Sequence, residues 1–258
     1  MQMKLLAVGD VVATAGLNYL KQTLPRLKRE RAIDFCVVNG ENTAVLGLLP
    51  QQAEDIFRAG ADVITMGNHT WGKRELVPYL DTTRGILRPA NLPPQQPGIG
   101  WDTFDTPFGQ IAVIDLIGRC GMDYTPDNPF LLVEKILRKI HTSLIFVELH
   151  AEATSEKLAM GWMLNGSVSA VWGTHTHVQT ADERVLPGGT GYLTDLGMTG
   201  PRDSVLGIRP ELSYQKFRGD LPRRYEPAPG PCKLDGCIFT IDTDSGRCCA
   251  AEGVSLHD

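Results

Sequence analysis

Short apolar runs alternate with amphipathic stretches through the first two-thirds of the chain. The runs fall at Lys4–Val8, Phe35–Val38, Val63–Thr65, Ile111–Ile117, Leu144–Leu149 and Val168–Trp172. Between them, Gly16–Arg29, Pro50–Ala59 and Pro129–Ile140 are amphipathic at helical period. Strands alternating with helices predict an α/β architecture with a largely parallel sheet. Several runs are apolar throughout, as in strands covered on both faces. From Arg184 onward the pattern shortens, and β-like pieces at Gly191–Thr194 and Gly236–Thr243 are separated by Gly- and Pro-rich turns. This tail predicts antiparallel strands that form a second sheet packed on the first. Tyr214–Pro231, with Arg218, Arg223 and Arg224 among its prolines, predicts a long surface loop. No repeat or linker breaks the pattern, so residues 1–258 read as a single domain.

The residues at the end of each run carry the chemistry. The first run leads to Gly9-Asp10, the second to Asn39-Gly40-Glu41-Asn42 and the third to Gly67-Asn68-His69. His150 comes directly after Leu149, and Trp172 leads to Gly173-Thr174-His175-Thr176-His177. In an open α/β sheet the carboxyl ends of parallel strands face one crevice, where ligands bind. Four of the six histidines fall at such ends, which packing alone does not explain. His175 and His177 lie two apart, so an extended segment would aim both at one centre.

Carboxylate, amide and imidazole ligands without thiolate suit iron, manganese or zinc. So many ligands exceed one tetrahedral ion and suit two neighbouring ions bridged by Glu41 or Asp10. Such a pair supplies a bridging hydroxide near neutral pH and clamps a phosphoryl group. The leaving alkoxide then needs a proton, and His69, beside Asn68, is the natural general acid.

A net charge of −5 gives no reason to expect strong electrostatic attraction to nucleic acid or membranes, and does not exclude a small anionic substrate. No run of eighteen apolar residues is present, and Met1–Asp10 is too short before its first turn for a signal peptide. The six cysteines form no Cys-x-x-Cys pair. They read as unpaired thiols of a reducing, cytoplasmic compartment, with a zinc site near Cys232–Cys249 as the alternative.

Together these motifs resemble the calcineurin-like metallophosphoesterases, with Gly-Asp early, Gly-Asn-His mid-chain, then a lone His and a Gly-x-His pair. Val12 stands where many members carry His, and Glu41 where most carry Asp. Both departures resemble the YmdB-type branch, as do His150–Lys157 and Gly197-Met198-Thr199-Gly200-Pro201. The resemblance implies a four-layer αββα sandwich with two metal ions, iron or alternatively manganese or zinc. It implies Asp10, Glu41, Asn42 and His177 at one ion, and Glu41 as bridge with Asn68, His150 and His175 at the other. It implies His69 as proton donor and hydrolysis of phosphate esters, cyclic nucleotides such as 2′,3′-cyclic nucleotides among them. Glu148 stands where the branch leads one to expect Asp, a change beside the ligands rather than in them.

Other residues invite narrower expectations. Thr154 or Ser155 would cap a helix, and Glu152 would either belong to its first turn or orient His150. Asp195 reads as a turn residue or as support for the ligands. Trp71 and Trp172 read as packing. The three loop arginines read as solvated charges, with a substrate phosphate as the alternative. A regulatory protein that binds nucleotide or RNA, its metal site vestigial, is the competing function. The Asn68-His69 pair and the lack of a basic stripe count against it, and against stable nucleic-acid binding. A di-metal amide hydrolase is a third reading, and exposed edge strands leave homo-oligomers open.

Overall fold

The computed structural model describes residues 1–122, 125–221 and 223–258. Its first sheet has eight strands. β1 (Gln2–Val8), β3 (Phe35–Asn39), β4 (Val63–Thr65) and β5 (Ile86–Leu87) pair in parallel, in that order. On the other side of β1 runs antiparallel β13 (Cys232–Asp242), flanked by β12 (Met198–Pro201) and β14 (Cys248–His257), with short β2 (Asp10–Val11) at the margin. The second sheet pairs β7 (Gly109–Ile117), β8 (Leu144–His150), β9 (Ala170–Thr174) and β11 (Gly191–Leu193) in parallel. Antiparallel β6 (Trp101–Thr106) and β10 (Arg184–Val185) form its edges.

Strand alternation sorts the apolar side chains into three layers of core. Leu5 and Ala7 of β1, with Val37 and Val63, pack between the sheets against Val113, Phe146 and Trp172. Leu6, Val8, Val38 and Ile64 point the other way, under α1 (Ala13–Arg31), α2 (Pro50–Ala59) and α3 (Leu76–Leu80). Ala112, Ile114 and Val147 face outward beneath α4 (Pro129–Leu137) and α5 (Thr154–Met163). The result is helix, sheet, sheet, helix, the αββα order expected. Trp172 stacks on Phe239 of β13 at 5.8 Å and 22°, joining the sheets by packing as expected. On α1, Leu20 and Leu24 are fully buried, each contributing about 1.5–3 kcal/mol.

Two expectations are corrected. The tail supplies only one margin of the second sheet, β10 and β11, and β11 joins it in parallel. β13 instead pairs with all of β1, from Gln2↔Asp242 to Val8↔Gly236, and completes the first sheet. The rest of the second sheet comes from the middle of the chain, whose apolar runs pair with one another. The long loop also begins later, because α6 (Pro210–Phe217) takes its first residues, started by Pro210 in the first turn. All six cysteines are free thiols, Cys120 and Cys249 exposed. Among the described residues no cluster of metal-ligating groups includes a cysteine, so the alternative zinc site does not form. Among the described residues no helix is long and apolar enough to cross a membrane.

Candidate metal centre

Five strand ends converge where the two sheets meet. Past β1, Gly9 N donates to Asp235 O (3.0 Å) and Asp10 N to Gly197 O (3.2 Å), fixing Asp10 between the two later segments. Past β3, Asn39 Oδ1 accepts from Glu41 N (3.1 Å) and turns the chain so that Glu41 is fully buried. Past β4 stands Gly67, where a Cβ would lie 2.4 Å from Glu41 Oε2 and 2.5 Å from the His150 ring. Only glycine lets Asn68 and His69 approach so closely. β8 ends in His150 and β9 leads into the His175-Thr176-His177 turn.

His150 Nε2 is the centre of one group. It lies 2.8 Å from Asn68 Oδ1, 3.0 Å from His175 Nδ1 and 3.2 Å from Glu41 Oε1. Ligand atoms of Glu41, His150 and His175 all lie within 4.8 Å of one another. A second group forms beside it, with Asp10 Oδ1 3.8 Å from His177 Nε2 and 4.0 Å from His150 Nδ1. Asn42 enters differently: its amide Nδ2 faces His177 Nε2 (3.0 Å) and Glu41 Oε1 (3.1 Å), while its Oδ1 faces His69. An ion there would meet the Asn42 carbonyl only once the amide is turned over. His69 Nδ1 sits 2.9 Å from Asn42 Oδ1 and 3.3 Å from Glu41 Oε1, and its backbone N–H donates to Glu41 Oε2 (2.9 Å).

The surrounding hydrogen bonds decide which ring nitrogens are free. Glu148 accepts from Asn39 Nδ2, Thr65 Oγ1, Trp172 Nε1 and Thr174 Oγ1, which fills both of its oxygens. Thr174 has thereby spent its proton and must accept from His150 Nδ1 (2.9 Å), leaving His150 Nε2 as the ring atom aimed at the cluster, where a bound cation would displace its proton. His177 Nδ1 donates to Leu206 O (3.1 Å), which frees its Nε2 in the same way.

The His-Thr-His turn is not extended as expected. His175 has φ 98° and His177 φ 62°, both left-handed. Asp195 holds them there: its Oδ2 accepts from Thr176 N (3.2 Å) and Thr176 Oγ1 (2.8 Å) and pairs with Lys157 Nζ at 2.6 Å. Asp195 therefore fills both expected roles, since its Oδ1 also accepts from Gly197 N (2.9 Å) in its own turn. Lys157 and Asp195 are only 2% and 1% exposed. Asp195→Ala would strand a buried ammonium and is expected to cost about 3–5 kcal/mol in a urea unfolding titration. A loss below about 1 kcal/mol would show that the pair holds nothing.

Two further expectations shift. Glu152 reaches His175 Nε2 (3.2 Å), not His150. Neither Thr154 nor Ser155 caps α5: Ala153 is its N-cap without a side-chain bond, and Glu156 instead accepts from Arg119 N and Cys120 N. No local pattern marks these partners, because both lie across strand connections.

Burial and charge set the protonation. Burial pushes the Asp10 carboxyl up, against the nearby imidazoles. Burial opposes the Glu41 charge too, but His150 and His69 hold that carboxyl well below its usual range. Burial pulls His150 down, yet the Glu41 and Asp10 carboxylates carry it up to about 9. Burial, then the His150 charge, bring His175 down to about 3, so its Nδ1 carries a lone pair.

The cluster opens into a cleft of about 440 Å³ whose polar lining includes Glu41, Asn42, His69, Glu152, His175 and His177. Arg218, Arg223 and Arg224 are exposed and do not line it, in keeping with their reading as solvated charges.

The YmdB-like protein family matches residues 6–254. The chain belongs to the YmdB-like family. The YmdB-like relative from Bacillus subtilis strain 168, a 2′,3′-cyclic-nucleotide 2′-phosphodiesterase, is 42% identical over 99% of this chain and 98% of its own. A solved phosphatase from Mycoplasma pneumoniae superposes with a TM-score of 0.94 at 33% identity, covering 100% of this chain and 94% of that one. A hypothetical protein from Thermus thermophilus does so at 0.92 and 34%, over 99% and 100%. The YmdB-like chain has the fold of the calcineurin-like metallophosphoesterases.

Proposed function

We propose that this phosphoric ester hydrolase is a two-metal phosphodiesterase that opens 2′,3′-cyclic nucleotides to phosphomonoesters. The observation that carries the reading is a buried carboxylate oxygen left unpaired where imidazole and amide ligand atoms converge. Asp10 Oδ1 is buried with no hydrogen-bond partner, beside two imidazoles whose other nitrogens are already engaged. A buried polar atom left unpaired costs about 1–3 kcal/mol, and a cation is what this donor set fits. Asp10, Glu41, Asn42 and His177 would hold one ion, and Glu41 with Asn68, His150 and His175 the other. Iron is the favoured metal, with manganese or zinc as alternatives. When bound, the ions supply Lewis acidity and lower the pKa of water, so that hydroxide is available near neutral pH.

The chain's own residues do the rest. Thr174 and the Leu206 carbonyl orient the imidazoles, and Lys157–Asp195 fixes the turn between them. His69, held at Nδ1 by Asn42 and Glu41, keeps Nε2 for the cleft it lines. That nitrogen delivers a proton to the ribose oxygen as its P–O bond breaks. The free thiols accord with a cytoplasmic setting.

The test is metal content by elemental analysis, paired with hydrolysis of adenosine 2′,3′-cyclic phosphate and bis-p-nitrophenyl phosphate. About two transition-metal ions per chain, with turnover abolished by chelator and restored by manganese or iron, is the expected result. Two ions with no turnover of either compound would favour the regulatory reading instead. No metal, and no activity on adding it, would overturn the site.

A further inference from the structure

The lining of the cleft is of two opposite characters. Besides the imidazoles, amide and carboxylates, its walls include Val45, Leu46, Leu206, Ile208, Phe217 and Tyr225. Several of these apolar side chains stand in water: Phe217 is 84% exposed, Leu46 52% and Leu206 46%. Val45 and Leu206 hold left-handed backbone at φ 69° and 55°, a conformation bulky residues avoid. The same loops that supply this wall also serve the polar lining. Asn42 lies three residues before Val45, and the Leu206 carbonyl fixes His177.

Charge is as informative. Among the described residues no Lys or Arg lines the cleft, and Glu152 adds a carboxylate beside His175. Lys216, 5.2 Å from the Tyr225 ring, and Arg223 belong to a neighbouring pocket. An occupant therefore finds groups able to bind an anion only where the metal ligands and His69 lie, and an apolar, partly aromatic surface in most of the remaining lining. At about 440 Å³ the cleft is of small-ligand size, within roughly 300–1,000 Å³.

We propose that Leu46, Leu206, Phe217 and Tyr225 form the nucleobase wall of the site, selecting substrates whose single phosphate is the cyclic one. This deepens the phosphodiesterase reading and rests on it. The base lies against an apolar and aromatic face that offers few hydrogen-bonding groups, so selection among bases is weak. A second phosphate, at the 5′ position or in an oligonucleotide, finds no Lys or Arg among the cleft's described lining residues, and Glu152 adds like charge to the same cleft.

Three substrates separate these terms: ribose 2′,3′-cyclic phosphate, adenosine 2′,3′-cyclic phosphate, and the latter bearing a 5′-phosphate. On the metal-loaded enzyme kcat/KM is expected to be roughly 5- to 100-fold higher for the adenosine compound than for the ribose one. The added 5′-phosphate should lower it again. In L46A/F217A, the adenosine advantage should fall to within about threefold of the ribose compound, through KM rather than kcat. Ribose turnover should stay at its wild-type rate, since both side chains are exposed and bear on no ligand. Unchanged ribose turnover also shows that the variant is folded and loaded. An adenosine advantage that survives the double substitution, or a 5′-phosphate that improves the substrate, overturns the wall. Turnover of none of the three overturns the phosphodiesterase reading, and the wall with it.

Discussion

Replacing His69 by alanine is expected to lower turnover of adenosine 2′,3′-cyclic phosphate by about 100- to 10,000-fold, with metal content unchanged. The two halves of that result have separate physical origins. The ligand cluster does not depend on the His69 side chain, since what anchors Glu41 here is the His69 backbone N–H, which alanine retains. The imidazole itself touches only Asn42 and Glu41 through Nδ1. Its contribution is the proton for a ribose alkoxide, a poor leaving group. With bis-p-nitrophenyl phosphate the departing phenolate needs little help, so the loss should shrink to about tenfold or less. Equal losses on both substrates would sink the acid role. Elemental analysis of the variant checks the metal half.

Glu41→Gln is the second large effect, and it should remove the metal as well as the activity. Glu41 is fully buried between both groups, with Oε1 on His150 and His69 and Oε2 on the His69 amide. Glutamine keeps the volume but replaces one oxygen by an NH2, which can neither bridge two cations nor balance their charge. Manganese at 100 times its dissociation constant should stabilise the wild type by about 2.7 kcal/mol, read as a rise in Tm. The variant should show no such rise and turnover at the level of chelated enzyme. A Glu41→Gln protein that retains both ions and the full thermal shift would remove Glu41 from the ligands.

Much of this is legible in the sequence, for a local reason. Each chemical group sits within a few residues of an apolar run, so strand and ligand are read from one stretch of chain. Asn39-Gly40-Glu41-Asn42 after β3 and Gly67-Asn68-His69 after β4 are of this kind. The features that escape such a reading depend on contacts between distant segments. The pairing of β1 with β13 spans most of the chain, and the left-handed turn at His175 and His177 is imposed by Asp195 and Lys157. Glu152 reaches His175 because of where α5 starts relative to β9, which no periodicity records. The proposed nucleobase wall is assembled from three loops and one end of α6, each unremarkable alone.

The position of β13 also orders events in time. β1 leaves the ribosome well before β13, yet one whole edge of it waits for Gly236–Asp242. Asp10 waits as well, since its neighbour Gly9 is tied to Asp235 and its own amide to Gly197. A growing chain thus lacks the contacts that fix Asp10 and the far edge of β1 until Asp235 and β13 have been made. Contacts so distant in sequence slow folding. They also mean that the centre is completed in a single late step, when the strand that closes the first sheet arrives.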